Sequence, residues 1–231
     1  MRRFWKEVRL EQAGAGHALH LDHRPVRTPA GAALVLPSRP LAEAVAAEWR
    51  ARGPQVDPLA MPLTRSANAA IDRVLPDPAR VADAIAAYGA SDLVCYRAPR
   101  PEGLKLREAE AWDPLVDWAA EALGAPLILV EGVMHVAQPP GSLARLGEAV
   151  RAHGPWELTA LHELVTLSGS LVLGLAVSHG RLAPPAAWAA SRIDEAWNIE
   201  EWGEDAEAAA AAERRRRDFL TAARLLELVR G

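Results

Sequence analysis

Apolar and polar residues alternate with a period of two along the first forty positions. The alternating sets over the first stretch are Phe4, Lys6, Val8 and Leu10 on one side and Trp5, Glu7 and Arg9 on the other. Glycines at 14 and 16 interrupt the alternation, which resumes from Ala18 to Asp22. Such a pattern is typical of half-buried strands. It predicts a meander of about four short strands with one face on a core.

Beyond residue 38 the apolar residues follow the spacing of helices. Leu41, Val45 and Trp49 fall at i, i+4 and i+8, and Ser38 is placed to cap this helix. Further helices are predicted at 66–74 and 78–88, after an extended, proline-rich connection over 53–64.

A turn-rich, charged stretch at 97–106 is the predicted domain boundary. After it, one helix is predicted to begin at Asp113 and Pro114, a short β-like run covers 127–130, and four helices are predicted at 142–152, 156–177, 185–202 and 204–229. The predicted fold class is therefore α+β. A β-rich N-terminal domain with a few helices covers 1–100, and an all-α C-terminal domain covers 101–231.

Membrane insertion is not expected from the most apolar segment, residues 164–177. It is shorter than the roughly 20 apolar residues that a membrane-spanning helix needs, so it is predicted to be a buried core helix. The net charge of −4 and the pI of about 6.0 argue against nucleic-acid binding. A single Cys95 fits a reducing compartment, and the first residues lack a secretory signal. We expect a monomer in a bacterial cytoplasm, or in the mitochondrial matrix if the source is eukaryotic.

Motifs for catalysis or cofactor binding are weak. His162 and Glu163 resemble the start of a zinc-protease helix, but position 166 is Thr, where that motif needs a second His. Cys95 lies among apolar neighbours and is predicted to be a buried hydrophobe. Gly169 and Gly174 lack the Lys-Ser or Lys-Thr of a phosphate loop. We therefore expect no enzyme, no cofactor, no metal and no small-molecule substrate.

The most unusual segment combines acidic and indole side chains. Seven carboxylates lie between 194 and 207 with no basic residue among them, and Trp197 and Trp202 are interleaved. One interpretation is a solvated surface helix with Ile193 and Trp197 packed inward. The other is a protein-docking surface, because Trp anchors interfaces and charge steers encounters. A third possibility, from another class, is a hydrolase with Asp194 and Glu195 as acid and base, although adjacent helix positions point about 100° apart.

Six motifs in order, followed by the acidic segment, resemble the assembly chaperones dedicated to the α subunit of F1 ATP synthase. Before the acidic segment they are RFWKEV at 3–8, LDHRPVRTP at 21–29, MPLT at 61–64, WDP at 112–114, EGVM at 131–134 and LHELVTLSGS at 161–170. The acidic segment itself, with DEAW at 194–197 and WGED at 202–205, is the most specific part. This family combines a β-rich N-terminal part with a helical C-terminal part.

The resemblance implies a chaperone without a nucleotide cycle that binds newly made α subunit and shields its β-facing surface until assembly. It implies partner-binding roles for Asp194, Glu195, Trp197, Glu201, Trp202, Glu204 and Asp205. One position departs from the family, which tends to have Gly where this chain has His23. A positive φ would be costly for His, so either the turn type differs or the strain is tolerated.

Overall fold

The α+β class predicted from the sequence is confirmed by a computed structural model, which describes residues 3–51, 53, 55 and 57–231. The chain forms two compact units. The first contains the described residues up to 78 together with 154–160 and 224–231, and the second contains 79–153 and 161–223. The predicted division into domains at residues 100 and 101 stays a prediction.

The N-terminal meander contains four strands. They are β1 (Val8–Ala13), β2 (Gly16–Leu21), β3 (Arg24–Pro25) and β4 (Val35–Leu36). All pairings are antiparallel, with β1, β3 and β4 each bonded to β2. Alternate residues of β2 are buried, with Leu19 and Leu21 inside. The first strand begins at Val8 and not at Phe4, so residues 4–7, which the alternation predicted to be part of it, lie outside the observed strand.

The turn between β2 and β3 is strained at Asp22 and not at His23. Asp22 has φ of 55°, and it is the one non-glycine residue with positive φ among those described. Asp tolerates this conformation better than most residues. Its carboxylate also accepts hydrogen bonds from the amides of Lys6 (3.0 Å) and Glu7 (2.9 Å), which lower the pKa of Asp22. The turn therefore accommodates His23 without placing it at positive φ.

Ten α-helices and a second, two-stranded sheet lie within the described ranges. The helices are α1 (Arg39–Arg50), α2 (Pro62–Ala69), α3 (Pro78–Ala86), α4 (Glu102–Leu123), α5 (Pro140–Arg151), α6 (Pro155–Ser168), α7 (Leu171–Ser178), α8 (Pro184–Ala190), α9 (Ile193–Trp202) and α10 (Ala206–Arg230). The second sheet pairs β5 (Tyr96–Arg97) with β6 (Val130–Glu131) in parallel.

Several predicted helix limits are wrong. The helix expected to begin at Asp113 begins eleven positions earlier, at Glu102, and continues through Pro114. The helix predicted over 156–177 is two helices, because Gly169 has φ of 73° and Ser170 caps α7. The helix predicted over 185–202 also breaks, between α8 and α9. Within 53–64, a helical turn covers Pro58–Ala60 and α2 begins at Pro62, while residues 54 and 56 lie outside the described ones.

The core of the first unit lies between the meander and α1. Ser38 caps α1 as predicted, accepting a hydrogen bond from the Leu41 amide at 3.3 Å. Trp49 at the end of this helix packs edge-on against Trp5, with ring centroids 5.3 Å apart. The carboxylate of Glu48 accepts hydrogen bonds from the first amides of α2, at Leu63 and Thr64. Capping in this way fixes where α2 begins.

The core of the second unit depends on a buried carboxyl group at Asp92. Its oxygens accept hydrogen bonds from the Ser170 hydroxyl (2.5 Å), the Val172 amide (2.9 Å) and the Val94 amide (3.2 Å). Complete burial raises the pKa of Asp92 to about 6. Every residue of α7 is buried, and so are Leu164 and Val165 at the start of the apolar run, which confirms that the run is core except at the exposed Thr166.

Among the described residues, no helix is both long enough and apolar enough to cross a membrane.

We predict that Leu171→Asp leaves the protein largely insoluble. Leu171 is fully buried at the start of α7, and an unpaired carboxylate there costs several kcal/mol against a total stability of roughly 5–15 kcal/mol. The measurement is the soluble fraction and melting curve after expression. Leu106→Asp is the matched control, because Leu106 is 55% exposed on α4 and should tolerate the charge. A folded Leu171→Asp protein would contradict the burial of α7.

Candidate functional site

The acidic segment forms α9 and the start of α10, and its side chains face two different environments. One side of α9 packs on the first turns of α4. The other side borders an open groove against α10. Both environments lie within the second unit.

In the contact between α9 and α4, the indole of Trp197 packs directly against the backbone of Gly103. A Cβ atom at Gly103 would lie 2.7 Å from Cη2 of Trp197, so only a residue without a side chain allows this approach. The guanidinium of Arg107 lies over the same indole, 4.8 Å from its centroid. Arg107 also pairs with Glu200 at 2.7 Å, which lowers the pKa of Glu200. One turn of α4 thus positions α9.

A pair of carboxyl groups adds a second link between these helices. Glu108 is 1% exposed, accepts a hydrogen bond from the Ala98 amide at 2.8 Å, and hydrogen-bonds to Asp194. Two carboxylates can share such a bond only if one proton stays between them. Burial, reinforced by Asp194, raises the pKa of Glu108 to about 7. The pair lines a cavity of about 340 Å³ that also contains Arg97 and Val133.

The groove on the other side results from a sharp reversal of the chain. Gly203, with φ of 89°, ends α9, and the carboxylate of Asp205 caps α10 through the Ala208 amide at 2.7 Å. The groove between the two helices measures about 640 Å³. Its apolar part is formed by Trp188, Ile199, Trp202, Ala208, Ala209 and Ala212.

The charges that line the groove are mostly negative. Four carboxylates, at Glu195, Glu204, Asp205 and Glu213, stand against two guanidinium groups, at Arg192 and Arg216. Arg192 pairs with Glu195 at 2.7 Å, and Arg216 approaches Glu213 at 3.5 Å. The indole of Trp202 is 84% exposed beside these acids. An exposed indole next to net negative charge suits a partner that carries apolar and basic side chains.

The seven predicted partner-binding residues therefore separate into groups. Glu195, Trp202, Glu204 and Asp205 line the groove. Asp194 and Trp197 face α4, and Glu201 is exposed on α9. The roles of all seven in partner binding stay predictions.

The hydrolase hypothesis needs Asp194 and Glu195 to act on one substrate. Asp194 lines the smaller cavity, and Glu195 lines the groove. The structure therefore does not bring these two carboxylates together.

Two features of the site were missed in the sequence. Glu108 occupies the buried stripe of α4 between Leu104 and Trp112, and a carboxyl group on an apolar face is a detectable signal for a buried polar partner. The alanines at 208, 209 and 212 form a wall of the groove, where small side chains leave room for a ligand. The alanine-rich run that directly follows the acidic segment is the sequence feature that could have indicated this wall.

The other residues considered for chemistry lie elsewhere. Cys95 is buried, and burial raises the pKa of its thiol to about 12, so the thiolate is suppressed. His162 lies near Glu163, with 3.8 Å between the ring nitrogen and the carboxylate. Within the described ranges, no group of three or more His, Cys, Asp or Glu side chains could hold a metal ion.

Comparison with known proteins identifies relatives over the whole chain. Residues 2–120 match the family model described as ATP12 chaperone protein. Two structures of Atp12 from Paracoccus denitrificans, one of them a point mutant, share 49% sequence identity and TM-scores of 0.95 with this chain. The matches cover 99% of this chain and 97–98% of those chains. The Atu1473 protein of Agrobacterium tumefaciens is 42% identical, with a TM-score of 0.94, over 98% of this chain and 85% of that one.

We predict that Glu108→Gln weakens the pH dependence of stability. The pKa of Glu108 rises from 4.5 to about 7 on folding, so between these pH values the folded protein keeps a proton that the unfolded chain releases. Stability therefore falls as pH rises through this window, by up to about 1.4 kcal/mol per pH unit for one proton. Gln cannot titrate, so the free energy of unfolding should depend less on pH in this variant. Denaturant unfolding of the parent and of Glu108→Gln between pH 5 and 7 measures the two slopes. Glu121→Gln, an exposed position on the same helix, should keep the parent slope, and an unchanged slope in Glu108→Gln would contradict the shared proton.

Proposed function

The chain belongs to the ATP12 chaperone family, and from that premise we propose that it assists assembly of the F1 sector of ATP synthase. Specifically, it binds the unassembled α subunit and covers the surface that this subunit later presents to the β subunit. Exposed apolar surface of an unassembled subunit promotes aggregation, and a bound chaperone removes that surface from solvent. The resemblance of the six sequence motifs supports this choice of partner.

The observation that carries the proposal is the exposed indole of Trp202 beside the acidic groove. A large aromatic side chain that is 84% exposed contributes little to folding, whereas Trp is the residue type most enriched among binding hot spots. The carboxylates around it supply electrostatic attraction to a basic partner surface and accelerate the encounter.

The proposed contacts fall into direct and supporting ones. Glu195, Glu201, Trp202, Glu204 and Asp205 contact the α subunit from the groove and the exposed side of α9. Asp194 and Trp197 act on the same interface by holding α9 on α4.

The chaperone acts as a single chain and without nucleotide. It works where the α subunit exists before assembly, which is the cytoplasm in a bacterium and the matrix in a mitochondrion. No ATP is therefore needed in the assays that follow.

We predict that Glu195→Lys folds like the parent protein but fails to keep free α subunit soluble. Glu195 is half-exposed and pairs with Arg192 at the helix surface, so the change should alter stability by about 0.5 kcal/mol or less. At the interface it replaces an attraction with a repulsion, which can cost several kcal/mol of binding. Melting curves and light scattering of α subunit measure the two effects.

A matched control for this experiment is Glu148→Lys. Glu148 also pairs with an arginine three positions earlier on a helix surface, at 2.9 Å, but it lies on α5 and not in the groove. The control should protect α subunit like the parent. Equal protection by both variants would leave Glu195 as an ordinary solvated charge, and failure of the parent itself would contradict the proposed partner.

We predict that Trp202→Ala reduces protection of α subunit at least tenfold, measured as the chaperone concentration needed for half-maximal suppression of scattering. Truncating an indole anchor typically costs about 2 kcal/mol or more of binding, at about 1.4 kcal/mol per tenfold. Because the indole is mostly exposed, the melting temperature should stay near that of the parent. A lower melting temperature with intact protection would mean that Trp202 stabilises the fold instead.

A further inference from the structure

Two of the most exposed apolar side chains of the second unit lie on one loop. Val133 is 94% exposed and Met134 is 77% exposed. We call these two residues the apolar tip. Single exposed apolar residues are ordinary, but two large adjacent ones on the same loop need an explanation.

Hydrogen bonds on both sides hold the tip in place. Gly132 donates its amide to the Arg97 carbonyl at 2.8 Å, which extends the pairing of β6 with β5. On the other side, the hydroxyl of Tyr96 lies 3.3 Å from Nδ1 of His135. Lys105 on α4 pairs with Glu131 directly before the tip. The apolar side chains are therefore presented to solvent by an ordered segment.

The tip adjoins the acidic helix. Val133 and Asp194 line the same cavity of about 340 Å³, together with Asn198. Asn198 also lines the groove that contains Glu195 and Trp202. The cavity and the groove thus meet at Asn198 on α9, with apolar side chains near both ends of this helix.

We propose that the apolar tip is a second contact of the surface that binds the α subunit, taking a segment in which an apolar side chain stands next to a lysine or arginine. The apolar side chain packs on Val133 and Met134. The basic side chain enters the cavity toward the carboxyl groups of Asp194 and Glu108. This inference rests on the proposed function, and it adds the position and chemistry of a contact outside the acidic segment.

Charge complementarity favours this occupant over a membrane surface. The charge at the cavity beside the tip is that of the carboxyl pair Asp194 and Glu108, and it repels anionic lipid headgroups. The same groups attract a basic protein segment. The other charged groups nearby form ion pairs that are neutral overall, Lys105 with Glu131 and Arg97 with Asp113 at 2.8 Å.

The test is Met134→Asp, assayed by light scattering of α subunit and by a melting curve. An acid on an exposed loop should leave the melting temperature within about 2 °C of the parent, because surface substitutions change stability little. Protection of α subunit should require at least tenfold more chaperone. Leu59→Asp is the matched control, because Leu59 is equally exposed at 77% but belongs to the first unit. This control should protect like the parent.

Each other outcome overturns the inference in a recognisable way. Parent-like protection by Met134→Asp removes the tip from the interface while leaving the groove, tested through Trp202→Ala, in place. Equal loss in Leu59→Asp shows that the loss of protection is not specific to the apolar tip, which contradicts its assignment as a distinct contact. A change of oligomeric state in Met134→Asp by size exclusion assigns the tip to contacts between copies of this chain. Pelleting of the parent, but not the variant, with phosphatidylcholine vesicles assigns it to lipid. Failure of the parent to protect contradicts the proposed function itself.

Discussion

The packing of α9 on the first turns of α4 is the contact on which the candidate surface depends. Gly103 gives the indole of Trp197 room, Arg107 stacks on that indole, and Glu108 hydrogen-bonds to Asp194. Gly103 and Arg107 are one turn apart on one face of α4, and Glu108 lies about 100° round the helix from Arg107, so these residues hold α9 along two neighbouring faces. Once these faces are occupied, the remaining side chains of α9 must point to the groove or to solvent. The orientation of the acidic helix is therefore set by α4, through contacts that the acidic segment alone does not reveal.

Crowding of like charges on α9 is largely compensated by local partners. Glu195 pairs with Arg192, Glu200 with Arg107, and Asp205 with an amide at the start of α10. Repulsion between carboxylates on a helix is worth only a few tenths of a kcal/mol per pair, which these contacts offset. Folding thus accounts for much of the acidic segment, including the position of Trp197. It does not account for the exposure of Trp202. Because folding does not require an exposed indole at this position, its exposure points to a partner.

Sequence patterns predicted the features that depend on local interactions. The cap at Ser38, the amphipathic α1 and the order of a β-rich part before a helical part all follow from neighbouring residues. The errors occur where the local structure is determined by residues that are distant in the sequence. The break between α6 and α7 depends on Asp92, 78 residues before Ser170, which stabilises the start of α7. The role of Glu108 depends on Asp194, and periodicity cannot show which buried polar group meets which partner. The acidic segment could be recognised in the sequence because its composition is unusual. Which of its side chains face α4 and which face the groove could be seen only in the folded structure.

The proposed surface has the energetics that a temporary partner requires. A chaperone that later gives up its α subunit must bind more weakly than the β subunit that replaces it. Solvated carboxylates accelerate association but contribute little net affinity, since exposed ion pairs are worth about 0–1 kcal/mol. Most of the affinity would then come from a few apolar anchors, at Trp202 and the apolar tip. Anchors at separate points can be released one after another, so a competing subunit that displaces one of them lowers the barrier to losing the next. A single large hydrophobic interface would bind more tightly and would oppose the transfer for which such a chaperone exists.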